Sequence, residues 1–307
     1  MLTAYITHPA CRRHDMGKMH PESPERIHAI EDQLIAAGLL PFLDCRDAPA
    51  VTDSQLLRVH DREYIDSIFA MSPKHGLVQL DGDTAMNPYT LEAALHAAGA
   101  GVMAVDLVMS GAVENAFCNI RPPGHHAGRS YSAGFCIFNN VAVAVAHALE
   151  HHGLARVAIA DFDVHHGDGT ENIFHDDPRV MLCSTFRHPF YPYKGADSGN
   201  EHIINVPLAA GASGEDFRTA VGQYWLPELE RFKPQMIFVS AGFDAHREDD
   251  MGGLALREAD YAWVTEELKR LAGAHAHKRI VSLLEGGYAL DALGRSVLAH
   301  IKVLSDI

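Results

Sequence analysis

The sequence predicts an α/β fold built on a parallel β-sheet, and two features of the chain support this prediction. Short apolar runs rich in β-branched residues alternate with longer segments that have helical patterning. These runs are apolar almost throughout, as expected of parallel strands that helices cover on both faces. The chain of 307 residues has no internal repeat and no evident linker, so we expect one domain over residues 1–307.

The individual elements follow from local sequence signals. Strands are predicted, in chain order, at 115–120, 157–160, 180–183, 236–239 and 280–284. A first helix is predicted after Ser23 as N-cap and Pro24 as first helical residue, and Gly38 closes it. Further helices are predicted at 90–109, 140–151, 215–232, 257–272 and 290–304.

An unusual polar cluster follows each of four predicted strands. The clusters occupy residues 121–126, 161–169, 240–244 and 285–288. In open parallel sheets, ligands bind outside the carboxyl ends of the strands. We therefore expect the four clusters to converge on one site.

The segment DFDVHHGDG has the pattern of a metal site. In an extended segment Asp161, Asp163 and His165 point to the same side, because alternate residues share a face. Asp244, at another strand end, can supply a third ligand. Three protein ligands with an open position are typical of a catalytic metal, which lowers the pKa of its water and polarises a carbonyl.

The neighbouring histidines suit proton transfer. The adjacent imidazoles of His125 and His126 suit proton transfer near neutral pH, and Asp161 and Asp168 are available to orient them. Tyr288, after two glycines, can donate a hydrogen bond to an oxyanion.

Composition excludes some classes of partner. A net charge of −15 without a Lys/Arg cluster argues against nucleic acid and favours cationic ligands. No stretch of eighteen apolar residues and no secretory signal is evident, so we expect no membrane contact and a cytoplasmic location. The five scattered cysteines fit reduced, buried thiols. His147, His151 and His152, on a helix and at its end, are expected to be solvated.

The motifs RPPGHHA, GFCIFNN, DFDVHHGDGT, SAGFDA and EGGY together resemble the histone deacetylase family. The resemblance is greatest to the class II enzymes and to bacterial deacetylase-like amidohydrolases, which include acetylpolyamine amidohydrolases. It covers nearly the whole chain, in the right order. It implies the arginase/deacetylase fold, an eight-stranded parallel sheet flanked by helices.

The resemblance also implies roles for these residues. Asp163, His165 and Asp244 would bind zinc, and His126 would be general base and then general acid. His125 would tune the site, with Asp161 and Asp168 as partners of the two histidines. Tyr288 would stabilise the tetrahedral intermediate. A potassium ion would lie beside the zinc, held by the Ser184 side chain and by main-chain oxygens of Asp161, Asp163, His165 and Thr185.

The substrate tunnel is also implied by the resemblance. Phe135 and an aromatic residue of PFYP, Phe190 or Tyr191, would form its wall. The Gly134 carbonyl would meet the substrate amide, and Arg26 matches an arginine near an internal acetate channel only loosely.

The substrate is expected to be an acetylated lysine in a protein or peptide, with acetylpolyamines as the alternative. Met251 stands where a polyamine-preferring relative has a gatekeeper glutamate. Asp81 and Asp83 can anchor a substrate at the rim, but an Asp-Gly turn and a helix-entry carboxylate explain them equally well.

Two other classes of function stay open. One is an arginase-type manganese ureohydrolase, which needs a second Asp-x-Asp pair where SAGFDAH has only Asp244. The other is an inactive protein that binds acyl-lysine. The metal is expected to be zinc, although Fe(II) fits the same ligands. The oligomeric state is open, and a homo-oligomer is compatible with the sequence.

Overall fold

The structure, a computed structural model, describes residues 2–307. Its centre is an eight-stranded sheet in the order β2-β1-β5-β10-β9-β6-β7-β8, and every neighbouring pair is parallel. The strands are β1 (Thr3–Thr7), β2 (Asp44–Asp47), β5 (Asn115–Cys118), β6 (Val157–Asp161), β7 (Val180–Arg187), β8 (Ile203–Leu208), β9 (Ile237–Ala241) and β10 (Ile280–Leu284). A separate antiparallel hairpin joins β3 (Val78–Gln79) to β4 (Ala85–Met86). The predicted fold class is confirmed.

Helices flank this sheet in two groups, in which α4 packs on α5, and α10 packs on both α1 and α9. The helices are α1 (Glu25–Ala36), α2 (Asp53–Leu56), α3 (Arg62–Met71), α4 (Thr90–Met109), α5 (Asn140–Glu150), α6 (Asp168–Phe174), α7 (Gly214–Ala220), α8 (Leu226–Phe232), α9 (Glu258–His275) and α10 (Leu290–Ser305).

Most predicted elements agree with the structure to within a few residues, and α4 and β10 agree residue for residue. The helix predicted at 215–232 is instead divided by a π-helical turn at Val221–Trp225. Pro227 follows this turn, and its missing N–H prevents a regular helical hydrogen bond there. The sequence did not predict β1, β2 or β8. The last two are edge strands, and β8 contains Pro207, which is tolerated only at an edge.

Within residues 2–307, α4 is the one helix long and apolar enough to cross a membrane by length and composition. However, 61% of its most apolar window is buried in the protein. The helix packs so closely that a Cβ at Gly99 would lie 1.9 Å from the Pro49 carbonyl oxygen. At Gly101 a Cβ would lie 2.9 Å from the Ala144 side chain. The packing is that of a core helix.

Two histidines in the core are held as neutral imidazoles. His300 is fully buried, and its ring nitrogens are hydrogen-bonded to Thr265 Oγ1 at 2.7 Å and Ser282 Oγ at 2.9 Å. Burial lowers the pKa of His300 to about 3 and that of His60 to about 4. The folded protein therefore keeps His300 and His60 neutral at pH values at which the unfolded chain binds a proton at each.

This arrangement predicts a loss of stability in mild acid. Unfolded His300 takes up a proton below about pH 6.5, whereas the folded state stays neutral down to about pH 3. Between pH 4 and pH 6 one such group lowers the free energy of unfolding by about 1.4 kcal/mol per pH unit of acidification. In His300→Gln, the dependence of the free energy of unfolding on pH should be weaker by about 1.4 kcal/mol per pH unit, as measured by urea unfolding at several pH values. His28→Gln, at an exposed position of α1, should keep the original slope. An unchanged slope in His300→Gln would contradict the assignment.

Candidate active site

The four polar clusters follow four strands that are consecutive neighbours in the sheet, in the order β5-β10-β9-β6. Because all four strands are parallel, their carboxyl ends lie at one edge. The convergence predicted from the sequence is therefore present in the fold.

Asp163, His165 and Asp244 form the centre of this site. Each offers one ligand atom, and these atoms lie within 4.8 Å of one another. His165 Nδ1 lies 3.0 Å from Asp163 Oδ1 and 3.2 Å from Asp244 Oδ2. All three residues are buried, and Asp244 Oδ2 has no hydrogen-bond partner.

The surroundings of these carboxylates fit a divalent cation. A Cβ at Gly286 would lie 2.1 Å from Asp244 Oδ2, and one at Gly242 would lie 2.1 Å from Asp163 Oδ2. Only glycine therefore leaves both carboxylates in place. Burial, and then the charge of Asp163, raise the pKa of Asp244 to about 7. Two buried carboxylates of this kind need a positive charge between them, and two carboxylates with one imidazole are a known ligand set for zinc-class ions.

Two histidine–aspartate pairs lie beside this group, as the sequence predicts. His125 Nδ1 is 3.0 Å from Asp161 Oδ2, and His126 Nδ1 is 2.9 Å from Asp168 Oδ1. The two imidazole rings are 4.1 Å apart. A carboxylate accepts only, so each Nδ1 carries a proton and each Nε2 keeps its lone pair in the neutral ring.

The two histidines have different acidities. Burial, and then the charge of His125, lower the pKa of His126 to about 4, against the opposing effect of Asp168. For His125, burial is outweighed by Asp163 and Asp161, which raise its pKa well above the usual value. His126 is thus a neutral base at pH 7, and His125 is the more readily charged ring.

Glu285 positions the histidine loop, a role that the sequence reasoning missed. Its Oε2 accepts hydrogen bonds from Gly124 N at 2.6 Å and His125 N at 3.1 Å, and Ser240 Oγ donates to its Oε1 at 3.2 Å. Burial raises the pKa of Glu285 to about 7. Its place at the start of EGGY, directly after β10, is a sequence signal that could have found it.

A buried ionic network supports the same loops from behind. Arg121 forms an ion pair with Glu22 and donates to the carbonyl oxygens of Cys11 at 2.8 Å and His14 at 3.0 Å. Arg26 pairs with Glu22 at 3.1 Å and donates to the Gly287 carbonyl at 2.6 Å. The structure thus places Arg26 behind the EGGY loop. Glu22, in HPESPER, was not singled out from the sequence.

Aromatic residues pack against two histidines of the site, His165 and His126. Phe190 stacks on His165 at 5.4 Å between ring centroids, and Tyr191 packs edge-on against His126 at 5.1 Å. Both Phe190 and Tyr191 therefore lie at the site, and the role of either as a tunnel wall stays a prediction.

Gly134 lies beside His126 and Phe135 beside Tyr288, and both residues have left-handed backbone. A Cβ at Gly134 would lie 2.3 Å from His126 Cδ2, so only glycine fits there. Phe135 packs edge-on against Tyr288 at 5.9 Å. The Gly134 carbonyl, expected to meet the substrate amide, accepts from Cys136 Sγ at 3.3 Å.

At the rim the structure distinguishes Asp81 from Asp83. Asp81 Oδ1 accepts from the backbone N–H groups of Asp83 at 2.9 Å and Thr84 at 2.8 Å, which makes it a turn residue. Asp83 accepts from Thr84 Oγ1 at 3.0 Å, is hydrogen-bonded to the Gly134 backbone, and is half-buried. Burial, and then Asp81, raise the pKa of Asp83. Asp83 is the carboxylate left available for a ligand.

Met251 lies in the loop after β9, whereas the predicted potassium ligands lie on β6 and β7 or directly after β6. Met251 is half-buried, and its N–H donates to Asp249 Oδ1 at 3.0 Å. Ser184 on β7 is the register partner of Asp161 on β6, and Thr185 follows it. The potassium site itself stays a prediction.

Comparisons with known proteins agree with this geometry. Residues 20–304 match the histone deacetylase domain family. The histone deacetylase-like amidohydrolase of Pseudomonas aeruginosa is 37% identical over 295 residues, which cover 94% of this chain and 77% of the relative. The polyamine deacetylase HDAC10 of Mus musculus is 37% identical over 306 residues, which cover 92% of this chain and 44% of the relative. The crystal structure of the HDA15 HD domain superimposes with a TM-score of 0.94 at 36% identity, covering 99% of this chain and 88% of that one.

If Asp163, His165 and Asp244 hold the metal, removing one of these ligands should lower the metal content of the protein. Asp244→Asn removes the charge of a ligand but keeps its shape, so the metal content after dialysis should fall at least about tenfold. Elemental analysis of purified protein gives the result. Asp168→Asn is the control, because that carboxylate binds His126 and lies outside the group. Full metal content in Asp244→Asn would show that the ion is held elsewhere.

Proposed function

This chain belongs to the histone deacetylase family and is an amidohydrolase of that family, and we propose that it hydrolyses acetylated lysine side chains in proteins or peptides with the help of zinc. The observation that carries the proposal is a neutral base, His126, held by Asp168 beside a buried three-residue metal-ligand group. A base, a metal group and an aromatic passage at one sheet edge suit hydrolysis of an amide on a slim chain.

Asp163, His165 and Asp244 would hold the zinc. Bound there, the ion would act as a Lewis acid toward the amide carbonyl and toward water. Fe(II) fits the same oxygen-rich ligands and is the alternative metal. Potassium near Ser184, a cytoplasmic location and any homo-oligomer stay predictions.

The proton transfers fall to His126. Its Nε2 lone pair accepts a proton from the attacking water, and Asp168 stabilises the imidazolium that forms. The same Nε2–H then protonates the departing amine, so that the C–N bond breaks to give acetate and a free amine. His125, bonded to Asp161, adds positive charge beside the site.

Tyr288 would stabilise the developing oxyanion. Its backbone N–H donates to Asp249 Oδ2 at 2.6 Å, which holds the loop after the two glycines. The phenol packs against Phe135, and burial, and then Asp244, raise its pKa well above the usual value. A phenol that keeps its proton is a hydrogen-bond donor, as an oxyanion site requires.

The alternative substrate is an acetylpolyamine, which the printed name of HDAC10 associates with that relative. Met251 offers a flexible apolar side chain where a glutamate would attract a second ammonium group. Asp83 is the nearest rim carboxylate available for a cation or for a peptide N–H. We therefore favour acetyl-lysine.

The ureohydrolase reading has less support from the geometry. Two bridged metals need a second ligand set about 3.5–4 Å from the first. Over residues 2–307, the one other group of potential ligands is Asp106 with three histidines of α5, and it shares no residue with the first. The intact base and tyrosine likewise disfavour an inactive binder.

Tyr288→Phe tests the catalytic assignment. The change removes one oxyanion donor and keeps the ring, so kcat on an acetyl-lysine peptide should fall about 10²–10³-fold with KM nearly unchanged. Tyr193→Phe is a matched control, because Tyr193 is 73% exposed. His126→Ala should abolish most turnover, and a chelator should do the same. Near-normal kcat in Tyr288→Phe would overturn the role given to this hydroxyl.

Substrate choice is tested by comparing kcat/KM for an acetyl-lysine peptide and for acetylspermidine. We expect the peptide to be preferred. Met251→Glu should shift the ratio toward acetylspermidine by about tenfold, because a new carboxylate near the rim is worth roughly 1–2 kcal/mol to an ammonium group. Met251→Leu is the control for loss of methionine. A wild-type preference of tenfold or more for acetylspermidine would reverse the ranking.

A further inference from the structure

A cluster of three histidines and one aspartate lies outside the active site. Asp106 is on α4, and His147, His151 and His152 are at the end of α5. One potential ligand atom from each residue lies within 4.8 Å of the others. The expectation that all three histidines are solvated is wrong for His147, which is 4% exposed. It is buried where α5 packs on α4, and its ring contacts Asp106 of that helix.

The contacts in this cluster centre on the Asp106 carboxylate. His147 Nε2 lies 2.8 Å and His152 Nε2 lies 2.7 Å from Asp106 Oδ1. The His147 and His151 rings are stacked, 4.8 Å apart and 13° from parallel. The cluster places three imidazoles beside one carboxylate, which is a ligand set for a borderline divalent ion.

The hydrogen bond from Arg58 to His147 shows that His147 cannot bind an ion directly. Arg58 Nη1 donates to His147 Nδ1 at 3.0 Å, and an arginine cannot accept. The proton of neutral His147 is therefore on Nε2, which donates it to Asp106. His147 has no lone pair to offer an ion in this arrangement. It is a positioning residue that orients the Asp106 carboxylate, like the second layer of known metal sites.

We propose that Asp106, His151 and His152 form a second divalent metal site, for Zn²⁺ or another imidazole-preferring ion, with His147 and Arg58 as its support. An ion replaces the proton that His152 Nε2 shares with Asp106. His151 is exposed and His152 half-exposed, so the ion enters from solvent and keeps water at its remaining positions.

The site joins α4 to the end of α5. The beginning of α5 supports the active-site loops, where Asn139 donates to the Ala127 carbonyl and Asn140 to the Pro122 carbonyl, both at 3.0 Å. An ion at the far end therefore stabilises the fold without touching the reacting groups. The proposal does not depend on the proposed function.

The test is a titration of metal-loaded protein with Zn²⁺ by calorimetry, with total zinc measured in parallel. Wild-type protein should bind one additional zinc, and its thermal midpoint should rise with zinc concentration. The double variant His151→Ala/His152→Ala should lose the additional zinc and this rise, yet keep wild-type deacetylase turnover.

Two further variants assign the roles. His147→Gln should weaken the additional zinc about 10–100-fold without abolishing it. His275→Ala is the matched control, since that half-exposed histidine pairs with a single carboxylate, Glu230, at 2.6 Å; it should change nothing. The proposal fails if wild-type protein takes up no additional zinc, or if the double variant still does. Complete loss of binding in His147→Gln would make His147 a ligand and overturn the role assigned to Arg58.

Discussion

Two carboxylates buried side by side at the end of a parallel sheet are the constraint on which the site depends. Asp163 and Asp244 come from neighbouring strands, β6 and β9, whose parallel register brings both side chains to one point. Neither can be ionised cheaply in an apolar interior without a positive partner. His165 Nδ1 lies 3.2 Å from Asp244 Oδ2, but a histidine that binds a metal is neutral, so the ion itself would supply the positive charge. Position 286 must also be glycine, because any side chain there would occupy the space of the carboxylate oxygens.

A second layer of buried charge holds the loops that converge on this point. Glu285 binds the backbone of the histidine loop, and Glu22 joins Arg121 to Arg26, so segments far apart in sequence are tied together. Breaking one partner of such a network leaves a buried charge unpaired, which costs more than the intact pair contributes. The network therefore gives the site its rigidity.

Much of this arrangement could be predicted from the sequence, for physical reasons. Apolar runs such as 280–284 reveal buried parallel strands, and the polar clusters after them identify the functional edge. The supports were harder to predict. Lys194, which binds Asp168 at 2.8 Å, acts through a contact between distant segments that no local pattern encodes. Glu285 stands in the EGGY cluster, but its hydrogen bonds to Gly124 and His125 join segments about 160 residues apart. His147 was misjudged because its burial depends on how α5 packs on α4.

The residues proposed for the chemistry are held by more hydrogen bonds than the residues at the rim, which are proposed to select the substrate. Asp163 receives hydrogen bonds from the backbone of His165 and Gly286, and His125 and His126 are each bound to an aspartate. Groups restrained in this way are pre-organised, and their geometry survives changes elsewhere. Fewer hydrogen bonds restrain the residues at the rim: Asp83 accepts from Thr84 Oγ1, and the Met251 backbone N–H donates to Asp249. Substitutions at the rim can therefore alter which acylated amine binds while the hydrolytic machinery stays the same, as expected where one fold serves several substrates.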